Sequence, residues 1–209
     1  MSKSVYTTVR DLHLYAGLFI APFVLAFSVS VFFLAHAWIL GESAAAGVTR
    51  TITGLSLPPN LEALDGRARV DALRAVLPAV GVPGEIAFVR YVPSERRLIF
   101  PVGVPGRETT VSLDVAGGTA LVTQRETGFW DGLVTLHKSP GQHLVAIRGN
   151  WLPMQAWRWF ADGTVYLILF ITLSGVYLWA VLRSERIIGI SLLAAGVITF
   201  AGIVYAVIH

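Results

Sequence analysis

The residues best able to do chemistry in this chain are its five histidines, His13, His36, His137, His143 and His209. A neutral imidazole ligates a metal through one ring nitrogen and can carry a proton on either. Cysteine is absent, which removes disulfides, iron–sulfur clusters, thiolate metal sites and thiol nucleophiles together. His13 and His36 stand near the two ends of one apolar run, "RDLHLYAGLFIAPFVLAFSVSVFFLAHAW", from Arg10 to Trp38. Helical rise is about 1.5 Å per residue, so they sit roughly 35 Å apart along one helix and cannot share a metal.

The elements that must position these side chains follow from composition. Of 209 residues, 55% are hydrophobic and 14% charged, and the mean hydropathy is +0.66. Soluble domains carry about 25% charged residues. The deficit falls in three runs, about 12–40, 163–182 and 187–208. Each meets the roughly 20 apolar residues that a bilayer core demands. Pro22 removes one helical hydrogen bond from the first run. Residues 183–186, "RSER", leave room only for a tight turn between the second and third. Trp151, Trp157, Trp159 and Tyr166 lie where an interfacial aromatic belt belongs.

Short-loop charge sets the expected orientation. Lys3, Arg10, Arg183 and Arg186 fall on one side, and the C-terminal end carries no Lys or Arg. The positive-inside rule then puts residues 1–11 and the 183–186 turn in the cytoplasm of a bacterial inner membrane. The first run exceeds a signal-peptide core and reads as a retained anchor. A net charge of +3 gives no reason to expect nucleic acid as a partner.

The segment 41–126 would then be a periplasmic α+β domain. Residues 65–77, "DGRARVDALRAVL", place Val70, Leu73 and Leu77 on one helical face, with Asp65 as a candidate cap. "EIAFVRYV" (85–92), "RLIFPV" (97–102), "ETTVSLDV" (108–115) and "TALVTQRE" (119–126) read as strands of an antiparallel meander. "PSER", "GVPGR" and "AGG" supply turn chemistry and are not phosphate loops. Residues 127–162 lead back to the membrane, and "GFWDGLVTLHKSPG" within them reads as a short surface helix.

Several of these stretches resemble one family. "RDLHLYAGLFIAPFVLAFSVS" is similar to the first helix of PepSY-associated transmembrane proteins, with Arg, then Leu-His, an aromatic and Gly-Leu. "VSLDVAGGTALVTQ" resembles the end of a PepSY domain. "LHKSPG" at 136–141, followed by "WRWFADGTVYLILFITLSGVYLW" at 157–179, resembles the family's Leu-His-Lys segment and the span after it. The resemblance implies an α-helical membrane protein of three transmembrane helices with an inserted periplasmic PepSY-like α+β domain. Larger relatives are linked to iron and siderophore uptake, and some are haem-binding reductases. Those have four or more spans, so in this chain an electron path would need partners.

Under that resemblance the histidines become candidate axial ligands of a haem b, which needs neutral imidazoles and a dry slot between helices. His36 and His137 are the favoured pair: one closes a rigid helix, the other matches the Leu-His-Lys position. Lys138, Arg148 and Arg158 are candidates to meet haem propionates. His13 would need a partner from another chain or subunit. Gly17, four residues on, allows close approach of a macrocycle or of another helix. His36, His137 and His143 are alternatively ligands of copper or iron. Histidines at an interface also serve plain structural roles. Glu42, Glu126, Asp131 and Asp162 show no acid–base spacing, and Asp162 reads as the N-cap of the second span. Ser139 before Pro140-Gly141 is a turn residue, not a nucleophile.

The expected function is a haem-binding inner-membrane protein that passes electrons to a periplasmic metal or metal chelate. No flavin or dinucleotide motif is present, so electrons would come from a quinol or a redox partner protein. The chain would work as a homo-oligomer or as a subunit of a membrane complex. The alternative is a non-enzymatic accessory or scaffold subunit whose PepSY domain binds a periplasmic protein. Whether the chain is an enzyme is left open by its residues.

Overall fold

The fold comes from a computed structural model and is described over residues 3–40, 47–139, 146–182 and 186–208. His143, His209, Glu42 and residues 183–185 lie outside the described residues. Two compact units divide the chain: Met1–Ala21 with Thr164–His209, and Pro22–Gly163.

Three helices are long and apolar enough to cross a membrane. They are α1 (Lys3–Ala35), α5 (Leu152–Leu182) and α6 (Arg186–Ile208). Their mean hydropathies over the best windows are 2.5, 2.2 and 2.4. In water such surfaces would be buried, yet the α6 window is 0% buried within the chain. A helix apolar all round belongs in lipid, so these helices contact the bilayer. In the first unit Gly189 lets α6 meet α5 closely, since an added Cβ would collide with the Trp179 indole.

Helix α5 starts earlier than the apolar run predicts. Residues 152–162 are helical, so Asp162 lies inside α5 and is not its N-cap. Pro153 takes the second helical position, where its missing N–H costs nothing, and "MQAWRWFA" has no breaker. Likewise α1 starts at Lys3 and ends at Ala35, with a short α2 (Ala37–Leu40) beyond the turn at His36.

The second unit holds the inserted α+β domain. Its sheet runs in the order β1 (Val48–Ile52), β6 (Thr119–Glu126), β5 (Arg107–Asp114) and β4 (Arg97–Val104), with β2 (Glu85–Ile86) and β3 (Arg90–Val92) both on the far side of β4. All pairings are antiparallel. Alternation sends Leu98, Phe100 and Val102 of β4 and Val111 and Leu113 of β5 to one face. Helix α3 (Gly66–Val80) covers that face with Val70, Leu73, Val76, Leu77 and Val80. Each such side chain, when fully buried, contributes roughly 1.5–3 kcal/mol.

The expected strand at 85–92 is broken. Ile86 pairs with Val102 and Arg90 with Ile99, so three residues oppose two and the chain bulges. Pro101 sits opposite the break and has no N–H to continue the ladder; its carbonyl still accepts from Ala87. Strand β1, a β-branched stretch, was not anticipated. Its Arg50 donates to the carbonyls of Val80 and Gly81 at the end of α3. Asp65 stands at the N-cap position of α3 but its side chain makes no capping bond. Helix α4 (Phe129–Lys138) follows the sheet as expected.

Candidate functional site

Each histidine of the membrane-crossing and α4 segments is held by its Nδ1. In the first unit, His13 Nδ1 lies 2.8 Å from Ser174 Oγ. The Ser174 hydroxyl donates to the Phe170 carbonyl at 2.6 Å. A hydroxyl has one proton, so the imidazole must be the donor in the first bond. His13 therefore donates from Nδ1, and in the neutral ring the lone pair lies on Nε2. Gly175 follows Ser174, and a Cβ there would come within 3.5 Å of His13 Cε1, so the ring rests on backbone.

The same logic recurs in the second unit. His137, in the last turn of α4, places Nδ1 3.2 Å from Ser30 Oγ of α1. Ser30 donates to the Phe27 carbonyl at 2.7 Å, so His137 is the donor and again exposes an Nε2 lone pair. Ser30 is buried, and the Phe27 ring meets the imidazole edge-on at 5.6 Å. Trp157 of α5 donates Nε1–H to the Leu136 carbonyl, which fixes the end of α4. An apolar cleft of about 40 Å³ lies alongside, lined by Phe23, Ala26, Phe27, Leu133 and Trp157.

His36 is arranged differently. Its Nδ1 donates to the Phe32 carbonyl at 2.9 Å, and its ring stacks on Phe32 at 4.6 Å. Ser30 and His36 are six residues apart, about 9 Å of rise and two-thirds of a turn around the helix. The structure brings His137 to Ser30 and leaves His36 on its own preceding turn. Each ring packs on a phenylalanine, and among the described residues no ring contact joins the two. Arg148 faces Glu85, with Nη1 to Oε2 at 3.6 Å, and Arg158 lies over Gly149. Neither is bonded to a histidine among the described residues. No group of three or more metal-ligating side chains occurs among the described residues.

The donor chemistry fits a haem axial ligand. Ligating histidines have Nδ1–H tied to an acceptor, which orients the ring and raises the basicity of Nε2. The enclosed space is smaller than a macrocycle. Pockets that surround a small ligand run to about 300–1,000 Å³, against about 40 Å³ beside His137.

Sequence reasoning misses Ser30 and reads Ser174 only as a small residue for helix packing. A serine inside an apolar helix is a signal, because it seeks a partner across the helix interface. Asn150 was missed too. It is fully buried, its Oδ1 accepts from Ile86 N–H, and its Nδ2 donates to the carbonyls of Ile86 and Ile147. Its amide acts as one more residue of strand on the outer edge of β2.

The PepSY_TM-like family model covers residues 6–209. No curated protein and no solved structure matches the chain. With three membrane-crossing helices, an inserted α+β domain and a match over nearly its whole length, the chain belongs to the PepSY_TM-like family.

Proposed function

We propose that this membrane protein binds haem b through His137, and through His13 at a separate level, and serves one-electron transfer toward a metal or metal-chelate acceptor. The observation that carries the reading is the shared His–Ser–carbonyl relay, which leaves Nε2 of both rings free to ligate. The haem, when bound, would supply the one-electron chemistry. The residues do the rest. Ser30 and Ser174 hold the tautomer, Phe27 walls the ring of His137, and the apolar helices keep water away. His36 lies in the turn after α1 and bonds back to Phe32, away from Ser30, so a second copy of the chain is the proposed source of the companion imidazole and of the missing cover. Electrons would come from a quinol or a redox partner, and the proposed setting is the bacterial inner membrane with the inserted domain in the periplasm.

The test is an optical spectrum of the full chain purified from haem-replete cells. Sharp b-type bands after dithionite are expected, lost in part in His137→Ala and in part in His13→Ala, and retained in His36→Ala. A colourless protein, or bands indifferent to both substitutions, overturns the reading.

One observation favours the accessory reading. Strand β1 is an open sheet edge with four of its five residues exposed, and it can accept a partner strand. A stable co-purifying protein, cross-linked through a photoreactive residue at Val48, would support that role.

A further inference from the structure

A second site lies in the inserted domain, away from the histidine relays. A cleft of about 450 Å³ opens between the β4–β5 turn, α4 and the chain leading into α5. That volume falls within the range of small-ligand pockets, about 300–1,000 Å³.

Its charges are paired at some positions and unmet at others. Glu85 is buried, and its Oε1 accepts from Gly149 N–H at 2.5 Å. Glu108 pairs with Arg125 and Arg107 with Glu126. Arg148 is only loosely held: it pairs with Glu85 at 3.6 Å, Nη1 to Oε2, its Nε is buried without a hydrogen-bond partner, and its side chain is partly exposed. Thr127 Oγ1, also in the lining, is buried and unpartnered. A loosely held guanidinium in a cleft of this size has the make-up of a ligand site, which sets a few placed polar groups in a concave wall. Asp131 and Lys138 line the same cleft and have no ion pair among the described residues.

Asp131 and Lys138 belong to one stripe of α4 with Thr135 between them. Seven residues of helix separate them, about 10 Å of rise. Gly132, next to Asp131, packs on the Pro105–Gly106 turn with no room for a Cβ, so the acidic end of the stripe is fixed over that turn. A pure anion would be repelled by Asp131, and a pure cation by Lys138 and Arg148. A linear zwitterion satisfies both. An extended peptide spans at most about 3.3–3.6 Å per residue, so three residues match the stripe.

We infer that this cleft binds a short peptide of about three residues with both ends free: its carboxylate is taken by Lys138 and the exposed part of the Arg148 guanidinium, and its ammonium by Asp131. Backbone groups of the peptide would meet the exposed Thr135 hydroxyl. The inference is independent of the haem reading.

The test uses the full chain in nanodiscs and calorimetric titration with trialanine, N-acetyl-trialanine and trialanine amide. Trialanine is expected to bind with a dissociation constant below about 1 mM, and each capped form at least roughly tenfold more weakly. In Lys138→Gln the difference between trialanine and its amide should shrink several-fold, Arg148 remaining. In Asp131→Asn the difference between trialanine and its acetyl form should vanish. Equal binding of all three peptides to the unsubstituted chain, or no heat up to about 10 mM, overturns the inference without any variant having to fold.

Discussion

Ser30 and Ser174 fix the chemical state of two imidazoles that the sequence shows only as isolated letters. His13 and Ser174 are 161 residues apart in the chain, so no spacing rule reaches from one to the other. The sequence pairs His36 with His137 because the first closes a rigid helix on the face where the second, at the Leu-His-Lys position, returns to the membrane. The hydrogen bonds tie His36 to its own helix turn instead. Removing Ser30 by Ala leaves the His137 Nδ1–H without its acceptor. The expected result is a mixture of ring tautomers in nitrogen-15 spectra of labelled histidine, with Ser30→Thr keeping the single Nδ1–H form. Asn150 has a larger structural duty. Asn150→Leu strands the Ile86 N–H and carbonyl in the core, at a cost of about 1–3 kcal/mol for an unsatisfied group. Hydrogen exchange at Ile86 should accelerate accordingly, and unchanged exchange would show that the edge is held by other means.

Elements were legible wherever a period ran long enough. The three spans, α3, α4 and the β4–β5–β6 meander follow directly from apolar runs, helical stripes and alternation. Strand β1 was not read, because five residues with all but one exposed carry no buried alternation. The break between β2 and β3 comes from Pro101 on the neighbouring strand, a tertiary cause invisible in residues 85–92 themselves. Helix α3 ends in a Schellman arrangement: Val82 N–H bonds to the Leu77 carbonyl and Gly81 N–H to that of Pro78. Gly81 has φ +62°, so Gly81→Ala should cost about 1–2 kcal/mol through left-handed strain, read as a lower melting midpoint. The loop before α3 is clasped by Glu62, which takes two bonds from Arg96 and one from Tyr91. The Arg96 hydrogen bonds hold the Glu62 carboxyl below its ordinary value of 4.5. Folded Glu62 therefore resists protonation. Its contribution is complete above that ordinary value and is lost as pH falls through the lowered one. Glu62→Gln should flatten the pH dependence of domain unfolding on the acid side, while leaving the slope near neutrality unchanged.

At the scale of the molecule, the sequence has an apolar helix, a folded domain and two apolar helices in that order, and the domain's sheet is made wholly of residues between the first and second spans. An insertion of that kind must lie on one side of the bilayer. The few Lys and Arg flanking the spans then predict which side. By the positive-inside rule, Lys3, Arg10, Arg183 and Arg186 are expected to keep the N-terminus and residues 183–186 on the cytoplasmic side, with the inserted domain opposite. The absence of cysteine makes the consequence directly measurable. A single cysteine at Ser94, in the exposed turn between β3 and β4, should react with a membrane-impermeant maleimide added to intact spheroplasts. A cysteine at Ser4, at the exposed start of α1, should react only after the membrane is opened. Moving the charge tests the cause as well as the outcome. With Lys3, Arg10, Arg183 and Arg186 all replaced by Gln, the labelling of the two sites should become mixed, because nothing else in the short loops opposes the reverse insertion. If the Ser94 site stays labelled from outside in that variant, the orientation is set by the folded domain and not by the flanking charges.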